Sequence, residues 1–229
     1  MKSAALSALL ALAFFPANAA ELLVLPGQSV VYVMGEITDS DVAQFEGVLT
    51  QHSIETVALR GPGGTLTAAY EIGEVIRRNR LTTEIIAGEE CASACAIIFF
   101  AGSERIIHDG ARLGLHLPFL NLSPNNVMTV CEQVTGLVIG ANSFADIVRR
   151  HYDGDTSTQA ERDAQVIVEC VGQAYQLGYR EAARLSEWLA DSGIDPGLLT
   201  VLSETPSHDV LWIDEQSASR FRVYSGTGD

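Results

Sequence analysis

The sequence predicts an α/β fold with a largely parallel sheet. Short apolar, β-branched segments alternate with stretches whose apolar residues recur at helical spacing, and glycines bound the apolar strands. The first strand is expected over 29–37, SVVYVMGEI, followed by TDSD as the cap of a helix carrying Val42, Phe45, Val48 and Leu49 on one side. A short apolar strand, TVALR, is expected at 56–60, and the glycine loop GPGG follows at 61–64. Thr65 or Thr67 then caps the helix TAAYEIGEVIRR, in which Ala68, Ile72, Val75 and Ile76 share a face.

A further strand is expected over 82–88, TTEIIAG, and a helix from about Ser93 to Ala101. Strands follow around 105–107 and 112–117, RLGLHL. From about Pro124 to Ser192 the pattern turns helical, as in VMTVCEQVTGLVIGANSFADIVRRHY and AERDAQVIVECVGQAYQLGY, joined by the polar DGDTST. The last unit, DVLWIDEQSASRFRVYS, regains strand character near its ends.

The first nineteen residues, MKSAALSALLALAFFPANA, have one positive charge at Lys2, an apolar run to Phe15, Pro16, and a small-x-small end at Ala17 and Ala19. That is the pattern of a secretory signal peptide cut after Ala19. The run is shorter than the roughly 20 residues needed to span a bilayer. Residues 20–229 are then expected as one domain in the periplasm or outside the cell, with 124–192 as a helical embellishment, because no proline-rich or low-complexity linker divides them.

Removing the leader removes the only lysine. The mature chain carries 13 basic residues, all arginine, against 29 acidic ones, a formal charge of −16. Such a surface repels phosphate backbones and anionic lipid, so nucleic acid and a membrane face are not the expected partners. Mechanisms that need a lysine base, a Schiff base or a P-loop lysine are excluded with it.

Four cysteines, at 91, 95, 131 and 170, remain after export, and an even count in an oxidising compartment favours disulfides. Three pairings are formally possible. Cys131 with Cys170, one in each of two predicted helices, is the obvious long-range pair. Cys91 and Cys95 are four apart, near the limit for a bridge along one helix face; they are either bridged, if the first turn is irregular, or two buried thiols flanking Ser93. No histidines stand at metal-ligand spacing beside them, so neither a metal nor another cofactor is expected.

The stretch EECASACAIIFFAG, 89–102, sets Ser93 between Cys91 and Cys95 ahead of an apolar run. A serine hydroxyl needs a base to take its proton and donors already aimed at the developing oxyanion. Gly63 and Gly64, in the glycine loop, let backbone amides approach a ligand closely. Ser93 at a helix start lies where the dipole favours negative charge. His116, between Leu115 and Leu117, is the best-placed base, with His108 in reserve. The plain structural readings are Ser93 as a helix N-cap, His116 as a core histidine, and the glycines as an ordinary strand-to-helix turn.

Taken in order, RGPGGTLTAAYEIGEVIR, CASACAIIFFAGSERI and ARLGLHLPF resemble the oxyanion loop, nucleophile helix and histidine strand of the Clp-type serine peptidases, within the crotonase-like group of spiral ββα folds. Ser93 and His116 are 23 residues apart, in keeping with that family's spacing. The resemblance covers about residues 30–119. It implies Ser93 as nucleophile, His116 as general base, and the amides of Gly64 and Ala94 as oxyanion donors. It also places Asp209, in HDVLWIDEQSASRFRV, as the third member of a triad. Signal peptide peptidases of the same fold use a serine–lysine dyad, which a lysine-free mature chain excludes.

The expected function is therefore an exported, ATP-independent serine hydrolase that cleaves peptide or protein substrates, with a homo-oligomer as the expected assembly and no ATPase partner, since no ATP pool exists outside the cytoplasm. The alternative is a crotonase-like binding or scaffold protein without catalysis. An acyl-CoA enzyme fits poorly, because CoA is not an expected substrate after export.

Overall fold

The computed structural model describes residues 19–117, 158–205, 209–224 and 226–228. Its fold is mixed α/β with a mostly parallel sheet. β1 (Glu21–Val24) runs antiparallel to β2 (Val30–Ile37), and β2 pairs in parallel with β3 (Thr56–Gly64). Along β2 the alternate residues Val31, Val33 and Ile37 are buried, as the two-residue period of a strand requires.

β3 is the strand that two arms of the sheet share. Its first half, Thr56–Leu59, pairs with β4 (Thr82–Ile85), while Gly61 pairs with Cys91 of β5 (Glu90–Ala92). On one arm β4 continues to β6 (Arg105–His108) and β9 (Gly226–Gly228). On the other, β5 continues to β7 (Arg112–Leu115), and β8 (Leu211–Ile213) closes that edge antiparallel. The change of partner along β3 makes the sheet turn as a spiral.

Two sequence expectations change here. GPGG is the end of β3, with Gly63 opposite Glu36 and Gly64 opposite Ile37, rather than a loop. The register shifts between Met34, opposite Arg60, and Glu36, opposite Gly63, and beyond the shift only glycine fits: a Cβ on Gly64 would stand 2.1 Å from the Ile37 carbonyl oxygen. The expected strand over 82–88 ends at Ile85, and the chain turns through 86–89 into the unexpected β5.

α1 (Ser40–Gln51) and α2 (Leu66–Asn79) follow β2 and β3. The TDSD cap is inverted: Asp41, fully buried inside α1, reaches back to accept the Thr38 amide at 2.7 Å. α3 (Ala94–Phe100) is buried along its whole length and forms the centre of the core with Val57, Leu59, Ile72, Ile76 and Ile85. Its apolar run is thus core. Among the described residues no helix is long and apolar enough to cross a membrane.

Of the predicted helical region 124–192, the described part is α4 (Thr158–Asp191); its start lies outside the described residues, as does Cys131. α4 docks through Leu185, Trp188 and Leu189. The Trp188 indole N–H donates to the Ile97 carbonyl at 3.0 Å, Tyr70 meets the ring edge-on at 5.0 Å, and Arg77 lies over its face at 3.5 Å. α5 (Leu198–Glu204) and α6 (Glu215–Arg220) complete the chain, α6 being capped by Asp214, which accepts from the Ser217 amide at 2.7 Å. Arg105 is buried and donates to the carbonyls of Val223 (2.7 Å) and Gly102 (3.1 Å), fastening the C-terminal segment to β6.

Candidate active site

Ser93 stands between β5 and α3, at a sharp strand-to-helix turn. Its backbone has φ 57 and ψ −122, a conformation that costs a non-glycine residue about 1–3 kcal/mol. The expected N-cap role is absent: Ser93 makes no side-chain capping bond to the helix. Its amide donates instead to the Gly114 carbonyl of β7 at 2.9 Å, which holds the elbow to the neighbouring strand.

Cys91 and Cys95 form a disulfide across this turn, with α carbons 5.2 Å apart. The two residues do not share a helix face, because Cys91 belongs to β5 and Cys95 to α3. The abrupt turn at Ser93 is what brings them within reach. The pairing of Cys131 with Cys170 falls outside what is described: Cys131 is not among the described residues, and only the backbone of Cys170 is, within α4.

The other sequence-predicted residues lie on adjacent strands at the same sheet edge. Ala92 is opposite Gly114, so Ser93 and His116 leave the C-terminal ends of two paired parallel strands, β5 and β7. The expected strand RLGLHL stops at Leu115, and His116 sits just beyond it, half-buried, with Nδ1 3.4 Å from the Leu117 carbonyl oxygen. β8 runs antiparallel with Leu211 opposite Leu115, so Asp209 enters at this edge beside the residues that follow β7. Asp209 is itself exposed. No hydrogen bond joins the Ser93 hydroxyl to His116 among the described residues.

On the other side of Ser93 lies the end of β3. A Cβ on Gly63 would meet the Ser93 Cβ at 2.6 Å and the Ala94 nitrogen at 2.9 Å, so the Gly63 backbone lies directly on the elbow. The Thr65 amide donates to Ile37 at 2.8 Å, and strand alternation leaves the neighbouring Gly64 N–H off the β2 side. The sheet order β8, β7, β5, β3 therefore sets Asp209, His116, Ser93 and the glycine pair in sequence along one edge.

His108 is placed elsewhere. It lies on β6, on the other arm of the sheet, and its Nε2 is 3.0 Å from the Glu84 carboxylate. The elbow also borders an open cleft of about 630 Å³ whose lining includes Pro62, Ala92, Arg60, Glu89 and Glu90. Arg60 and Glu89 pair across it at 3.1 Å, both partly exposed. Glu90 pairs with Arg112 at 2.6 Å, and Glu21, also in the lining, has no ion pair among the described residues, which leaves the cleft with one carboxylate in surplus. Sequence reasoning missed this cleft because β5, which forms its wall, is a three-residue strand without a propensity signal of its own.

These features define an α/β protein with a serine elbow, a histidine on the next strand end and a glycine-lined strand edge. No protein-family model matches the chain, and no curated protein matches it by sequence. Solved structures do match in fold. A variant of ClpP1 from Listeria monocytogenes superposes with a TM-score of 0.50 at 15% identity, covering 88% of this chain and 91% of that one. Two variants of the membrane-bound stomatin-specific protease 1510-N match similarly: one with a TM-score of 0.50 at 18% identity over 87% of this chain and 78% of that one, the other, solved with a substrate peptide, with 0.52 at 19% over 87% and 74%. The fold is thus the ClpP-like one.

Proposed function

We propose that this chain is an exported serine hydrolase that cleaves peptide substrates through an acyl-enzyme. The observation that carries the proposal is Ser93, held at φ 57 in an uncapped elbow while His116 and Asp209 arrive on the next two strands of the same edge. In this reading His116 takes the Ser93 proton as the oxygen attacks the scissile carbonyl. The amides of Gly64 and Ala94 receive the oxyanion, and the imidazolium then protonates the leaving amine. Water releases the acyl group by the same route. Asp209 orients the imidazole.

The acidic cleft beside the elbow is the site proposed for the peptide, and it favours substrates bearing positive charge. Export follows from the leader, and ATP independence from export. Self-association is supported by Val168, Tyr175 and Tyr179, exposed on α4 at spacings of seven and four residues.

The alternative of a binding or scaffold protein without catalysis is favoured by one observation, the missing hydrogen bond between Ser93 and His116. A fluorophosphonate probe separates the two. The folded protein should take one label on Ser93, Ser93→Ala should take none, and the same substitution should abolish hydrolysis of peptides and esters. An unlabelled wild-type protein would leave only the scaffold reading.

A further inference from the structure

Asp41 is a carboxylate with no exposed surface. One oxygen, Oδ2, accepts from the Thr38 amide at 2.7 Å, the Thr38 hydroxyl at 3.1 Å and the Ala20 nitrogen at 3.3 Å. The other, Oδ1, is buried with no hydrogen-bond partner among the described residues. A buried carboxylate normally has both oxygens satisfied and a cation beside it, because its desolvation is otherwise uncompensated. Among the described residues no ion pair reaches Asp41.

Ala20 is the residue that follows the expected cut, and it is 5% exposed. It is seated beside Gly35, its Cα 3.7 Å from where a Cβ on that glycine would stand, an ordinary van der Waals contact. In the uncut chain Ala20 offers Asp41 one amide hydrogen. We propose that hydrolysis of the Ala19–Ala20 bond turns this position into a site for an α-ammonium, which forms a buried ion pair with Asp41. A leader peptidase adds water across that bond; Ala19 leaves with the new carboxylate, and the Ala20 nitrogen takes a proton to become a cation with three donors. The added donors would give the idle Oδ1 an acceptor's role that the uncut amide, with its single hydrogen, leaves unfilled. The inference rests on the leader reading above.

The pair bears on the candidate site. Asp41 holds Thr38, and the preceding Ile37 receives the Thr65 amide and lies against Gly64. Gly35, on which Ala20 sits, presents its carbonyl to Gly61, which in turn pairs with Cys91 at the foot of the serine elbow. Maturation thereby tightens the strand end that lines Ser93.

The chain's composition makes the test specific. With Lys2 gone, the α-amino group is the only primary amine of the mature protein. The protein is exported from its full-length gene and its intact mass is measured, with residues 20–229 expected. The folded mature protein is then treated with an amine-acylating reagent at neutral pH, beside a chain carrying a Gly-Ser extension ahead of Ala20. The paired ammonium should react about tenfold or more slowly than the extended amine, and denaturation should abolish the difference. Asp41→Asn should raise the reactivity of the mature chain to that of the extended one, and the extended chain should unfold about 5–10 °C lower. Should Asp41→Asn fail to fold, the comparison of mature and extended wild-type chains decides alone. A folded mature amine that reacts as fast as the extended one overturns the pairing. A mass beginning at another residue overturns the leader reading instead, and a chain released at Ala20 from an amino-terminal fusion then carries the same acylation test.

Discussion

The Cα of Gly63 lies against Ser93 so closely that a methyl group added to it would stand 2.6 Å from the Ser93 Cβ. Gly63→Ala must therefore push the elbow away from β3, and its φ of 113 is also costly for any L side chain. The unfolding midpoint should fall by about 4–8 °C, while fluorophosphonate labelling of Ser93 should slow by about a hundredfold. Unchanged labelling would mean that the two backbones are not in register for catalysis.

The Cys91–Cys95 bridge should stabilise the protein modestly and the elbow more. Its loop is only a few residues long, and closing so short a loop is worth about 2 kcal/mol in the chain-entropy account. The Cys91→Ala, Cys95→Ala double variant should unfold about 4–8 °C lower. Because the bridge spans the residue under backbone strain, the labelling rate of Ser93 should also drop at temperatures where the variant remains folded. Equal labelling rates for the two proteins would assign the bridge to global stability alone.

Trp188 should be the anchor of α4. Trp188→Ala removes a buried indole, strands the Ile97 carbonyl and leaves Arg77 without the ring beneath it. The cost should be about 3–5 kcal/mol, read as a fall of the denaturant midpoint. Trp188→Phe keeps an aromatic ring in the site while losing the donor and the five-membered part of the indole, so it should recover more than half of that. A Phe variant no better than Ala would place the stabilisation in the hydrogen bond rather than in packing.

Tyr70 should titrate late. Burial raises its phenol to about 12, the Glu181 carboxylate adds to the shift and Arg184, over the ring at 3.9 Å, opposes it. The folded state thus holds the proton more tightly than the unfolded chain, whose tyrosines ionise near 10. Its contribution to stability is present below that value and disappears as the pH rises through about 12. Ultraviolet difference titration of the folded protein should show a tyrosine ionisation near pH 12, a step that Tyr70→Phe removes.

Much of the fold was legible. The alternation of β-branched and helical stretches predicted β2, β3, α2, α3, β6 and the strand character at the chain's end, because the face each buries in the core leaves an apolar signature in its own segment. β1, β5 and the exact extent of β3 were not, since strands of three or four residues carry little local signal and GPGG reads as a turn until β2 is beside it. TDSD read as a helix cap, but its Asp41 lies inside α1 and accepts instead from Thr38 and from Ala20, a residue outside the helix whose approach the local pattern does not carry.

For the site, the order and spacing of the glycine pair, Ser93 and His116 belong to the sequence, as do the single lysine at position 2 and the leader-like pattern around it. The tertiary structure decided their use of space. It bent Ser93 into a positive-φ elbow instead of a helix cap, bridged Cys91 to Cys95 across that bend, and put His108 on the opposite arm with Glu84. The physical reason is common to all three: a strand's neighbours are chosen by the whole sheet. Hydrogen bonds such as that from Ser93 to Gly114 join residues whose separation along the chain says nothing of their distance across it.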